Sequence, residues 1–245
     1  MNETGGVLEP AGASQQARDF LAPSGVLKAA INLGNPVLAQ GTADDPRGIT
    51  VQIARQLAAW LGVPLSMVPV PAARDSYAAI CQGQADLCFL ANEPARAEGV
   101  CFTDPYVVIE GVYLVRDDSA LGQASEVDAP GVSIGVRTGS AYDLFLSRSL
   151  QHATIVRGDE ATEVFQTQEL PVCAGIRQPQ AEYAQQHGHR ILEPAFMQIL
   201  QAVGVRRDAP RDVVGELDAQ LAELKSSGFI ARQLKASGVQ AVVAP

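Results

Sequence analysis

The chain has 245 residues, 47% of them hydrophobic and 18% charged, and 27 acidic against 18 basic side chains give a net charge of -9. That much apolar material excludes intrinsic disorder, which needs low hydrophobicity and high charge, and it is enough for one large domain or two modest ones. The acidic balance leaves no basic stripe to displace counterions from a phosphate backbone, so nucleic acid is excluded as a partner.

No apolar run approaches the ~18–20 residues of a membrane span. Met1 to Pro23 is polar and carries neither a basic n-region nor an apolar h-region, which predicts either a mature exported form or a cytoplasmic start. Val26–Leu33 reads as a strand and Gly34-Asn35-Pro36 as a turn. Val51, Ala54, Leu57, Ala58 and Leu61 recur at helical spacing, with Thr50 as the expected N-cap and Gly62 then Pro64 as the stop. Leu65–Val70 reads as a strand, Tyr77–Gln82 as a helix and Asp86–Ala91 as a strand, completing the β-α-β-α-β rhythm of a parallel sheet.

That rhythm breaks at Phe102-Thr103-Asp104-Pro105-Tyr106, before a β-rich run from Val107 to Val115. A strand over Val132–Val136, a helix opened by Ser140 and running to Leu150, and segments at Ile155-Val156, Thr162–Gln166 and Val172–Ile176 make a second, smaller unit. Phe196–Val205 is strand-like, and helices over Arg211–Ser226 and Phe229–Ala236 close the chain. The simplest path for two such units with a helical tail is two lobes and two crossings, with the tail returning to the first. Ligands on such sheets sit beyond the strand carboxyl ends and in clefts between lobes.

Four cysteines (Cys81, Cys88, Cys101, Cys173) match no zinc spacing. They read as small buried hydrophobes, with a disulfide among the first three as the alternative. His187 and His189 fall in a Gly-punctuated turn and read as solvated, and His152 follows the helix opened by Ser140. No metal and no cofactor is expected.

Three segments resemble the bacterial extracellular solute-binding proteins of family 3, the type II periplasmic binding fold of amino-acid ABC importers. These are Gly48-Ile49-Thr50-Val51-Gln52-Ile53-Ala54, then Gln84-Ala85-Asp86-Leu87 with Arg96 and Phe102-Thr103-Asp104-Pro105-Tyr106, then Gly135-Val136-Arg137-Thr138-Gly139-Ser140-Ala141. The resemblance runs from about Gly25 to Gly238. It implies an α/β clamshell of two lobes joined by two hinge crossings, with residues 1–106 plus 202–245 in one lobe and 107–201 in the other. It also implies a non-enzymatic, monomeric binder that closes on a small carboxylate solute, an ABC permease as partner, and a periplasmic location.

By match, Arg96 would hold the ligand carboxylate, the planar guanidinium fork pairing with it bidentately. Thr138, Gly139 and Ser140 stand at a strand-to-helix turn whose free N–H groups and helix dipole suit an anion, and Arg137 borders the cleft. Departures from the family pattern put Gln178 where an Asp usually meets the α-ammonium, and Asn32, Asn35 and Asn92 (beside Ala91) at the other contact positions. An amide-rich pocket with two arginines suits an anionic or zwitterionic ligand and puts a cationic amino acid in doubt. Gln198 and Gln201 face either the cleft or solvent. The competing readings are a dehydratase-like enzyme on the same fold and a cytoplasmic or sensory binding module.

Overall fold

In the computed structural model, which describes residues 12–245, the N-terminal leader contains more order than its polarity predicts. Helix α1 (Gln15–Leu21) is capped by Ser14, whose Oγ accepts from Ala17 N–H, and it buries Ala17 and Leu21. The expectation of a cleaved or missing export signal concerns Met1 to Pro23 and lies partly outside the described residues.

The first α/β unit follows. Strand β1 (Leu27–Asn32) leads through two short paired strands, β2 (Gln40–Gly41) and β3 (Pro46–Arg47), to helix α2 (Ile49–Leu61). Helix α2 presents Val51, Ala54, Leu57, Ala58 and Leu61 to the core, as the spacing predicts, and ends at left-handed Gly62 (φ 68°). Its start differs from expectation. Gly48 caps it with φ 103°, because a Cβ there would stand 2.6 Å from the Leu38 carbonyl. Thr50 lies inside the helix instead, its hydroxyl donating to the same Leu38 carbonyl at 3.1 Å. Strand β4 (Leu65–Val70), helix α3 (Ala73–Cys81) and strand β5 (Leu87–Ala91) complete the unit, with β4 and β5 both parallel to β1.

After a 3-10 turn at Pro94–Arg96, Phe102–Tyr106 does not interrupt the chain as expected. It belongs to one 17-residue strand, β6 (Val100–Arg116). The second unit then forms from β7 (Ser133–Arg137), α4 (Ala141–Ser149), β8 (Thr154–Gly158), α5 (Ala161–Thr167) and β9 (Val172–Ile176). Helix α6 (Arg177–His187) is absent from the sequence reading because it is polar on nearly every face and buries only Gln180 and Ala184. Its C-terminus takes His187 out of the expected turn, and His189 begins strand β10 (His189–Arg206). Helices α7 (Arg211–Ser226) and α8 (Phe229–Ser237) return to the first unit, and β11 (Val242–Val243) pairs with β6.

The strands form one mixed sheet in the order β4-β1-β5-β10-β6-β9-β7-β8, with β11 also on β6. The antiparallel pair β6–β10 is its spine: Gln201–Val205 of β10 bonds to β5, whereas Gly111–Leu114 of β6 bonds to β9. One chain pair therefore carries both parallel units. All four cysteines are free: Cys88 and Cys173 are buried, Cys101 is half-buried, and Cys81 is exposed rather than part of the core.

Asp128 ties the end of α4 to the segment before β7, its carboxylate accepting the N–H groups of Gln151, His152 and Ala153 at 2.8, 2.8 and 2.9 Å. These bonds favour the charged form and hold its pKa below the usual carboxylate range. The resulting stability is present above the unfolded carboxylate's pKa and is lost as pH falls through the lower folded value. Asp128→Asn is expected to lower the urea midpoint at pH 7 and to match the parent in strong acid.

Candidate functional site

The carboxyl ends of β1, β5 and β7 converge on a cavity of about 60 Å³ between the two units. Asn32 ends β1 and turns the chain, its side-chain oxygen accepting Gly34 N–H at 3.0 Å. Asn35 follows, 7% exposed, with its Oδ1 buried and without a donor. Strand β5 supplies Phe89, Leu90 and Ala91, and the 3-10 turn beyond it swings Arg96 back over the strand end. From the other unit come Arg137, Thr138, Ser140, Ala141 and Tyr142, and β10 adds Ile199 and Gln201.

Arg96 is 4% exposed. Its Nη1 donates to the Ala91 carbonyl at 3.1 Å and its Nη2 to the Gly139 carbonyl of the opposite unit at 3.0 Å. Among the described residues no carboxylate lies within ion-pair distance, and Glu93, three residues earlier, is drawn to Arg148 on α4. Burial disfavours the cation and pushes its pKa down to about 10, so it remains charged at neutral pH. An ion removed from water without a counterion costs several kcal/mol, so this guanidinium is short of one anion.

Arg137 also spans the units. Its Nη1 donates to the Gly34 carbonyl and its Nη2 to that of Pro71, both at 2.9 Å, and Glu160 stands 3.1 Å away. Its Nε is buried with no acceptor. Arg74 adds an outer tie, donating to Asp159 at 2.8 Å and to the Thr138 carbonyl at 3.4 Å. That pair is exposed and is worth ~0–1 kcal/mol.

The turn at Thr138-Gly139-Ser140 does not offer the free N–H groups expected of it. Thr138 N–H bonds to Gly158 O at 2.9 Å, Gly139 N–H to the Asp143 carboxylate at 2.8 Å, and Ser140 N–H to Arg137 O at 3.1 Å. The chain supplies its own anion: Asp143, 3% exposed, occupies the helix N-terminus and pairs with Arg157 at 2.9 Å, while Ser140 Oγ caps the Asp143 N–H. The N–H groups of Ala141 and Tyr142 open α4 and have no acceptor within it, and both residues line the cavity.

Of the predicted contact residues, the structure brings Asn32, Asn35, Ala91, Arg96, Arg137, Thr138 and Ser140 to the cavity wall. Gly139 reaches it only through the carbonyl that meets Arg96. Asn92 points into solvent where the chain leaves β5, its N–H tied to Leu200 O. Gln178 lies on α6, bonded to Glu182 and to the Gln240 N–H, away from the cavity. Gln201 lines the wall and is 5% exposed, whereas Gln198 faces solvent. The strand's alternation separates them, with Met197, Ile199 and Gln201 inward, but the exposed Leu200 hides that pattern in the sequence. Phe89, Tyr142 and Ile176 also line the wall and look like ordinary core residues in the sequence.

Gly34 has no room for a side chain: a Cβ there would stand 2.2 Å from the Pro71 carbonyl and 2.5 Å from Nη1 of Arg137, which reaches it from the other unit. Gly34→Ala is expected to force Arg137 out of its seat and cost about 1–3 kcal/mol of ligand affinity, read by titration calorimetry.

No curated protein matches the chain significantly in sequence. Among solved structures, a mutant ArgBP from T. maritima is 20% identical, with a TM-score of 0.74 over 91% of this chain and 99% of that one. A binding component of an ABC transporter from Wolinella succinogenes, complexed with lysine, is 17% identical with a TM-score of 0.72 over 86% and 95%. An ancestral amino acid-binding protein, a precursor of cyclohexadienyl dehydratase, is 19% identical with a TM-score of 0.72 over 89% and 98%. These likenesses carry the fold, that of the type II periplasmic binding proteins. Residues 27–236 match the model of the bacterial extracellular solute-binding proteins, family 3, and the chain belongs to that family.

Proposed function

We propose that the protein is the substrate-binding component of an ABC-type importer and holds a small carboxylate-bearing solute in the cavity without transforming it. The observation that carries this reading is Arg96, a buried cation with two carbonyl partners and, among the described residues, no carboxylate in ion-pair contact, at the meeting of the two units. A ligand carboxylate supplies the missing anion, and the Ala141 and Tyr142 N–H groups lie on the same wall to receive it.

The binding motion in this proposal is hinge bending. Lobe one comprises residues 1–106 plus 202–245, lobe two residues 107–201, and the crossings lie on β6 and β10. Between the part of β10 that bonds to β5 and the part of β6 that bonds to β9, these strands hold chiefly each other and β11, so bending there breaks few bonds. Arg96, Arg137, Arg148 and Arg74 all reach across the cleft, and they are the contacts an open form gives up. Known structures with this fold include amino-acid ABC transporter proteins, which supports a permease as partner and a periplasmic or extracellular setting. Among the described residues no helix is long and apolar enough to cross a membrane.

Small-angle scattering tests the motion. The radius of gyration is expected to fall when saturating ligand is added, and a constant radius in the presence of calorimetrically proven binding would contradict closure.

A further inference from the structure

We propose that the solute is a small hydroxycarboxylate anion that carries no ammonium group. This rests on the reading of the cavity as the solute site and narrows it by two features of the wall, its charge balance and its unpartnered polar atoms.

The charged side chains lining the cavity are Arg96 and Arg137. Glu160, on the neighbouring surface, already balances Arg137, whereas among the described residues Arg96 has no carboxylate within ion-pair distance and feels Glu93, itself paired with Arg148, only from further off. One carboxylate therefore neutralises the site. A zwitterion leaves the excess positive charge in place and sets a second cation beside a guanidinium that is itself buried.

The acceptors point the same way. An ammonium brings three N–H donors into a space where several oxygens are already committed. Asn32 Oδ1 takes Gly34 N–H, the Ala91 and Gly139 carbonyls take Arg96, and the Gly34 carbonyl takes Arg137. What remains among the lining side chains is Asn35 Oδ1, the carboxamide of Gln201 and the hydroxyls of Thr138, Ser140 and Tyr142, none of them carrying the negative charge that an ammonium calls for.

Two buried atoms on the wall are unpartnered among the described residues: Arg137 Nε, a donor, and Asn35 Oδ1, an acceptor. Left so, each forfeits its hydration. A hydroxyl is the group that can serve both, accepting from the first and donating to the second. An ammonium can only donate and an oxo group can only accept, so each leaves one of the two unserved.

The test compares acids that differ at a single atom: glycolate with glycine, lactate with alanine and pyruvate, and malate with aspartate and oxaloacetate, each titrated into the full chain by calorimetry. The hydroxy acid of at least one set is expected to bind at least about tenfold more tightly than its amino and oxo partners. In the same titrations Asn35→Asp is expected to reverse the preference toward the amino acid, since it places a carboxylate where the ammonium would sit. An amino acid that binds as tightly as its hydroxy partner would overturn this proposal and leave the solute-binding reading intact. No binding by any member of any set, with a well-folded parent protein, would overturn both.

Discussion

Arg96→Ala is expected to lower affinity for the carboxylate ligand by 2–5 kcal/mol, on the order of 30- to several-thousand-fold, while leaving the melting temperature nearly unchanged. Affinity falls because the carboxylate, drawn out of water by the closing cleft, would lose its forked cation and keep only neutral donors and Arg137, whose charge Glu160 already offsets. Stability holds because two opposing terms meet at this residue. Removing the side chain strands the carbonyls of Ala91 and Gly139, yet it also removes a buried charge that has no ion pair among the described residues. Arg96→Lys is expected to recover little, since an ammonium cannot span both carbonyls and still present a planar fork. Calorimetry of the three proteins against one ligand, with parallel thermal melts, separates loss of the site from loss of the fold.

Asp143→Ala carries the largest expected effect on stability, about 3 kcal/mol, toward the lower end for breaking a buried ion pair. The carboxylate accepts Gly139 N–H and Arg157 Nε, so its loss leaves those two donors unserved, while Ser147 Oγ keeps its 2.7 Å bond to the Asp143 main-chain carbonyl. Arg157 is itself 46% exposed and can recover water, which keeps the cost from the top of the range. A change of this size lowers the melting temperature by roughly 6–12 °C in a chain of this length. Affinity should fall too, because the Gly139 turn that Asp143 pins carries the carbonyl that Arg96 meets. Arg157→Ala is expected to cost less than Asp143→Ala in urea denaturation.

Most of the fold is legible in the sequence, for reasons that also explain the exceptions. Helix α2 and helix α7 announce themselves by apolar residues on one face and glycine stops, and both are found within a few residues of their expected ends. Helix α6 has no apolar face to announce it, since it lies on the edge of the second unit and buries only two residues. Strands β6 and β10 look like separate pieces because their composition changes where they pass from one unit to the other. Continuous pairing over 17 and 18 residues is a tertiary fact that no local window contains.

The site divides in the same way. Arg96, Arg137 and Asn35 stand near glycines, prolines and strand ends, and it is the resemblance to the family that flags them. Their placement on one wall depends on two units meeting, and the sequence offers only their order. The use of Asp143 as a built-in anion was hidden for a simpler reason: an acidic residue in the first turn of a helix is ordinary capping, and only its burial and its bond to Gly139 show that the expected N–H cradle is already filled. Gln178 lies away from the position that the family pattern gives it because α6 begins directly at the end of β9 and turns the side chain toward Gln240. The bulk charge of -9 likewise says nothing about the cavity, whose two charged lining residues are both arginines.

Thermal unfolding of the parent protein against small carboxylic acids and their uncharged amides tests the central claim most directly. A ligand at 100 times its dissociation constant adds about 2.7 kcal/mol, a rise of roughly 5–11 °C for a chain of this length. A rise with at least one acid, and none with its amide, is the result that a buried, unpaired Arg96 predicts. An amide that stabilises the protein as much as its acid would show that the guanidinium does not bind the solute's charge, and would contradict the account.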